Sequence, residues 1–298
     1  MTLAARKAAV LGLPIAHSLS PALHRAAYAK LGLDGWSYEA IECDEAGLPG
    51  LLASRGPEWA GLSLTMPLKR AVLPLLDRVD PVATATGGAN TVVFTGGARN
   101  GYNTDVAGLV TALTEAGVAA GPRLAGPGAS RGPSAGAGPG AASALILGAG
   151  ATACSALAAA AELGLRQARV AVRDPAKAAG LLEAASRLGV SVGLCPFGGD
   201  MGNGLDLLIS TVPAGAADSY AERLRGLAHP PAAVLDVVYH PWPTQLAVAA
   251  RQAGVVTIGG FEFLLHQAAR QVELMTGRQA PVQPMREAGL AELASRTV

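Results

Sequence analysis

Residues 144–153 read Ala-Leu-Ile-Leu-Gly-Ala-Gly-Ala-Thr-Ala, and no other stretch restricts the fold so tightly. Four apolar residues predict a short buried strand, and the six that follow spell G-x-G-x-x-A before an alanine-rich run with helical character. Gly148 permits a tight turn, Gly150 lets main chain approach a pyrophosphate, and Ala153 allows close packing of helix on strand. A helix starting at Ala151 would aim its first N–H groups and positive dipole end at the same spot. Such a pattern also arises where a strand–helix junction needs glycine for geometry alone. Its place at the head of a βα series favours dinucleotide binding, with Gly148, Ala149, Gly150, Ala151, Thr152 and Ala153 as the phosphate-side residues.

That series continues with strand 168–172, helix 175–188, and strands 191–195, 205–210, 233–238 and 255–258, the layout of a parallel sheet. The end of its second strand discriminates the ribose: an acidic residue there favours NAD, a basic one NADP. The chain offers both, as Val172-Arg173-Asp174-Pro175, with Lys177 one turn on. Arg173 and Lys177 are placed to clamp a 2′-phosphate, while Asp before Pro commonly caps a helix. The expected cofactor is therefore NADP, with NAD as the alternative.

The first half alternates differently. Strand 7–13 is followed by a helix with Ser20 as N-cap and Pro21 in the first helical position, running to about Gly32. Strand 36–43, a leucine-bearing helix near 48–52, strand 61–65, a helix from Pro67 to Leu76, and a hairpin of 90–94 with 98–102 come next. A long helix begins at Thr104-Asp105 and runs to about Gly117. This is the pattern of a mixed α/β sheet, so the fold class expected for the whole is α/β in two domains. Between them, Val118–Ser143 is rich in Gly, Ala and Pro and carries only Arg123 and Arg131 as charges. Too little side chain is available to offset ordering entropy, which predicts a flexible loop.

Composition excludes several function classes. Lys plus Arg number 23 and Asp plus Glu 22, a net charge of +1, so no electrostatic case exists for a nucleic-acid or membrane-surface partner. Residues 132–161 are uncharged, but Gly, Ala, Ser and Pro dominate them and insert poorly into lipid. Cys43, Cys154 and Cys195 are an odd, scattered set without CxxC; they predict reduced thiols, no metal site and a cytoplasmic location. Only four lysines occur, at 7, 30, 69 and 177, so each one in a motif stands out.

Ser18-Leu19-Ser20-Pro21 presents two hydroxyls at a helix mouth, and capping explains only Ser20. Thr65-Met66-Pro67-Leu68-Lys69 puts a lysine on a first helical turn, where it opposes the helix dipole and serves no structural purpose. Asn90-Thr91 and Asn103-Thr104-Asp105 place polar groups at element ends, and for Asp105 capping is a sufficient structural reason.

Together these segments resemble the shikimate dehydrogenases. The matching motifs are 12–21, Leu-Thr-Met-Pro-Leu-Lys (64–69), Gly-Ala-Asn-Thr (88–91), Gly-Tyr-Asn-Thr-Asp-Val-Ala-Gly (101–108), 148–153, Asp-Val-Val-Tyr-His-Pro-Trp-Pro-Thr (236–244) and Gln-Ala-Ala (267–269), collinear over nearly the whole chain. The resemblance implies reduction of 3-dehydroshikimate to shikimate with a nicotinamide cofactor. It implies Lys69 and Asp105 as the catalytic pair, a carboxylate held by Ser18 and Ser20, and ring hydroxyls bound by Thr65, Lys69, Asn90, Asp105 and Gln267, with Tyr239 nearby. Thr211, Val212 and the Gly260 backbone would flank the nicotinamide. The chemistry is coherent, because hydride addition to a carbonyl leaves an oxygen that must be protonated, and a lysine beside a carboxylate can supply that proton.

The implied architecture is an N-terminal mixed-sheet substrate domain (1–105, with 261–298 packing back onto it) and a Rossmann-type domain (106–260), with a cleft between them. The implied partner is a small molecule, and the assembly a monomer or homodimer. Two departures stand out: Ser63 replaces a common Asn and is expected to bond substrate or a neighbouring loop, and Asp174 weakens the phosphate-binding pattern. Quinate or aminoshikimate dehydrogenase is the close alternative. A non-catalytic sensor is a remoter one, disfavoured by the presence of both Lys69 and Asp105.

Overall fold

The computed structural model describes residues 5–118 and 143–296; the loop expected at 118–143 lies, but for its two end residues, outside the described residues. The chain forms two compact units, residues 1–108 with 265–298, and residues 109–264.

The first unit opens with β1 (Arg6–Gly12), α1 (Ser20–Lys30), β2 (Trp36–Glu42), α2 (Leu48–Ala53), β3 (Trp59–Leu64) and α3 (Leu68–Ala71). It continues with β4 (Arg78–Val79), α4 (Pro81–Thr86), β5 (Thr91–Thr95), β6 (Ala98–Tyr102) and the start of α5 (Thr104–Glu115). The sheet runs β2-β1-β3-β5-β6-β4 and is mixed, since β3 pairs antiparallel with β5 and β5 with β6, while β1 pairs parallel with both neighbours. Gly96 and Gly97 close the β5–β6 hairpin, both at positive φ, the conformation a two-residue turn between twisted strands demands. Leu11, Leu62, Leu64, Leu68 and Val92 lie in one core cluster beneath the strands.

The second unit holds β7 (Ser143–Leu147), α6 (Ala151–Glu162), β8 (Gln167–Val172), α7 (Ala179–Leu188), β9 (Ser191–Pro196), β10 (Leu207–Ser210), α8 (Asp218–Arg225), β11 (Ala233–Asp236), α9 (Gln245–Gln252) and β12 (Val256–Gly259). All its strand pairs are parallel, in the order β12-β11-β10-β7-β8-β9. Neighbouring β7 and β10 lead to opposite halves of the sheet, so the topological switch point falls between their carboxyl ends, where open α/β sheets bind ligands. α10 (Gly260–Thr276) then carries the chain back into the first unit, and α11 (Val282–Ser295) ends it.

Four expectations need correction. Ser20 is the first helical residue of α1 rather than its cap; Leu19 takes the cap position and makes no side-chain bond, while Ser18 Oγ accepts the Ser20 N–H at 3.3 Å. The helix expected over 67–76 is only α3, followed by a separate 3₁₀ turn at Leu73–Leu75, because Pro74 cannot donate to a continuing helix. The helix expected from Pro175 begins as a 3₁₀ turn and becomes α-helical at Ala179. From the sequence a final helix over 261–275 followed by a short tail is expected, but the segment after Met275 contains α11; Pro284 sits in its first turn, where no intrahelical N–H is required.

Candidate active site

Lys69 and Asp105 meet in the first unit. Lys69 Nζ lies 2.5 Å from Asp105 Oδ2, with the lysine side chain 14% and the carboxylate 3% exposed. Lys69 is set by the short α3, whose main chain is pinned when the Ala89 N–H donates to the Lys69 carbonyl. Asp105 does not cap its helix. Asn103 Oδ1 takes the Asp105 N–H at 3.0 Å instead, and the freed carboxylate receives Asn90 Nδ2 on Oδ1 at 2.6 Å. Asn103 is itself held by Thr86 Oγ1 and the Gly88 carbonyl.

Asn90 is the hinge of this arrangement. Its side-chain oxygen accepts from the Thr104 N–H at 2.8 Å and from Thr91 Oγ1 at 2.8 Å, and its Nδ2 lies 3.3 Å from Gln267 Oε1. Behind it stands a buried polar relay. Gln271 Nε2 donates to Thr91 Oγ1 and to the Asn90 carbonyl, while Gln271 Oε1 accepts from Ser63 Oγ at 2.7 Å and faces His24 Nε2 at 3.3 Å. Tyr38 completes it by donating to Ser63 Oγ at 2.6 Å and stacking on His24 at 3.9 Å between ring centroids. Burial drives the His24 imidazole down to about 3, so it stays neutral, and pushes the Tyr38 phenol up. Ser63 therefore spends its hydroxyl inside the fold, on Tyr38 and Gln271.

Ser18 and Ser20 follow β1 in the chain, and Thr65 follows β3. Ser18 is half-buried and Ser20 buried at the start of α1. The Thr65 N–H donates to the Leu11 carbonyl, and the Thr65 carbonyl accepts from Leu68 to start α3. A Cβ on Gly12 would stand 2.3 Å from the Thr65 methyl, which brings the chain leading to Ser18 against the chain leading to Lys69.

In the second unit the glycine turn behaves as its sequence predicts. Gly148 has φ +102°, and an added Cβ would strike Thr211 Oγ1 at 2.9 Å and Val212 at 3.2 Å. Thr211 is fixed by donating its hydroxyl and N–H to the Leu147 carbonyl. Gly148–Ala153, Thr211 and Val212 thus gather at the switch point. Gly150 caps α6 with extended backbone and no side-chain bond to the first turn, and a Cβ there would meet nothing within 4 Å. Bare main chain, uncapped helical N–H groups and open space fit a dinucleotide pyrophosphate.

Asp174 Oδ1 accepts the Ala176 N–H at 3.0 Å, so its carboxylate caps the turn at 175–178, and Arg173 and Lys177 are exposed beside it. Further along, the loop bearing Tyr239 is braced by Asp236, whose Oδ2 accepts from Thr244 Oγ1 at 2.8 Å; burial pushes that carboxyl up. Gly260 packs under this loop, donating to the Val238 carbonyl, and no Cβ would fit against the Val237 carbonyl.

The family model for the shikimate dehydrogenase substrate binding domain matches residues 10–92, and that for the shikimate 5'-dehydrogenase C-terminal domain matches residues 260–288. A shikimate dehydrogenase (NADP(+)) of Symbiobacterium thermophilum is 34% identical over 289 residues, covering 95% of this chain and 93% of its own. The chain belongs to the shikimate dehydrogenase family. Among solved shikimate dehydrogenases, that of Mycobacterium fortuitum is 42% identical, with a TM-score of 0.78 over 97% of this chain and 99% of that one. The Thermus thermophilus enzyme, solved in complex with NADP(H) and shikimate, is 32% identical with a TM-score of 0.76 over 96% and 99%.

Sequence reasoning did not single out Tyr38, His24 or Gln271. Gln271 had one signal: it stands four residues after Gln267, on the same face of α10.

Proposed function

We propose that this chain reduces 3-dehydroshikimate to shikimate with NADPH, reversibly, using Lys69 and Asp105 as the proton-handling pair. The observation that carries this reading is the Lys69–Asp105 contact, held by an asparagine that is itself fully engaged. The bound nicotinamide supplies a hydride to the carbonyl carbon. The chain's part is to hold a proton at Lys69 Nζ for the ketone oxygen, with Asp105 aiming the ammonium and accepting from a ring hydroxyl. Asn90, Thr65 and Gln267 present amide and hydroxyl groups to the remaining ring oxygens, and Ser18 and Ser20 receive the carboxylate. Residues 1–105 with 261–298 form the substrate domain in this reading and 106–260 the cofactor domain, with Tyr239 and Gly260 on the nicotinamide side.

NADP is favoured over NAD because Asp174 is occupied as a cap while Arg173 and Lys177 stand exposed. None of the three cysteines forms a disulfide, which supports a cytoplasmic location, and among the described residues no helix is long and apolar enough to cross a membrane. The test compares kcat/KM for shikimate and quinate with NADP+ and NAD+. Shikimate with NADP+ is expected to lead, and Arg173→Ala to raise the KM for NADP+ much more than for NAD+. Preference for quinate with NAD+ would refute the reading.

A further inference from the structure

The segment between β1 and α1 carries Ser18 and leads directly into Ser20, and among its main-chain carbonyls those of His17 and Ser18 are taken by a side chain from the far end of the sequence. Arg296, just after α11, donates Nη1 to the His17 carbonyl at 2.7 Å and Nη2 to the Ser18 carbonyl at 3.4 Å. Its guanidinium is aimed by Glu292, one turn earlier, whose Oε1 receives Nε at 3.1 Å and Nη2 at 2.9 Å. The packing beneath is firm, since Met285 and Gly289 of α11 are buried. Arginine suits this task because its planar fork reaches two successive carbonyls while a second edge stays on a carboxylate.

We propose that Arg296 is a positioning residue for the substrate's carboxylate, latching the 15–18 segment so that the Ser18 and Ser20 hydroxyls are already set before the anion arrives. This rests on the function proposed above. Arg296 touches no reacting group; it acts through the loop. Ser18 Oγ accepts the Ser20 N–H, so the Ser18 side chain is tied to the main chain at the start of α1, and a fixed Ser18 carbonyl holds the stretch from which both hydroxyls project. A preset pair binds its ligand without first losing loop entropy, so the latch acts on binding and leaves the chemical step alone.

The test uses the full chain and its Arg296→Ala and Arg296→Lys variants, assayed for oxidation of shikimate and of shikimate methyl ester, whose carboxylate is neutralised. In Arg296→Ala the KM for shikimate is expected to rise about fivefold, the scale of a half-exposed charge-assisted bond, with kcat, the KM for NADP+ and the melting temperature at wild-type values. Arg296→Lys should fall between, since one ammonium keeps one carbonyl. The KM for the ester should barely move. An unchanged shikimate KM in an active Arg296→Ala overturns the latch alone, as does an equal rise for acid and ester, which would mark a general structural role. A wild-type chain inert on shikimate removes the functional reading and the latch with it.

Discussion

In the first unit the candidate groups are side chains locked to one another, whereas in the second they are main-chain positions kept bare. Lys69, Asp105, Asn90, Thr91 and Gln271 form a continuous relay, buried except at the partly exposed Lys69, in which each side-chain polar atom has a named partner. Gly148, Gly150 and Gly260 owe their roles to a missing Cβ and to N–H groups at a helix start. In the proposed function the first arrangement would discriminate the position of ring oxygens, because an unmatched buried amide or carboxylate costs about 1–3 kcal/mol. The second would, in the same proposal, receive a pyrophosphate through main-chain N–H groups that only a residue without a Cβ leaves open to it.

This contrast can be broken most forcefully at Lys69. Lys69→Ala is expected to lower kcat about 10²-fold or more. Cofactor affinity, measured by fluorescence titration with NADPH, should hold; a large loss there would mean the two sites are not separable. At Gly150 the complementary change is small and local. Because φ is −77° and the added Cβ meets nothing, Gly150→Ala should leave the melting temperature intact. The same methyl should weaken NADP+ binding about tenfold, near 1.4 kcal/mol, by occupying the approach to the phosphates.

The smallest effect concerns pH. His24 has a folded-state value near 3 against 6.5 when exposed, so the unfolded chain binds a proton that the folded chain refuses. Its contribution to stability is complete above pH 6.5 and is lost as pH falls towards 3. Melting curves should therefore show a shallower acid decline for His24→Gln than for the wild type. Equal slopes would detach His24 from the acid response.

The same contrast governs what could be read in advance. The glycine turn is local, six residues whose geometry follows from sequence, and its strand, turn and helix stand where the pattern places them. The mixed first sheet and parallel second sheet were likewise legible from alternation. The relay was not, because its bonds join residues remote in sequence: Gln271 reaches Thr91 across 180 positions and Ser63 across 208. Asp105 shows the cost of arguing locally. Its position at a helix start is explained by capping until Asn103, two residues earlier, is seen to take that bond. Arg296 was invisible for a similar reason, since its partners are main-chain carbonyls and carry no sequence signature.

One further consequence concerns light rather than chemistry. Of the three tryptophans, Trp36 and Trp59 belong to the first unit, leaving Trp242 as the sole indole in residues 109–264. Its ring lies flat against Gly259, where an added Cβ would come within 2.8 Å, and the Arg251 guanidinium sits 5.5 Å from its centroid. Replacing Trp36 and Trp59 by phenylalanine would leave a single emitter two bonds of sequence beyond His240, on the loop that carries Tyr239. Its emission would then follow the movements of that loop directly, giving the molecule a built-in optical gauge on the loop where the proposed function puts the nicotinamide.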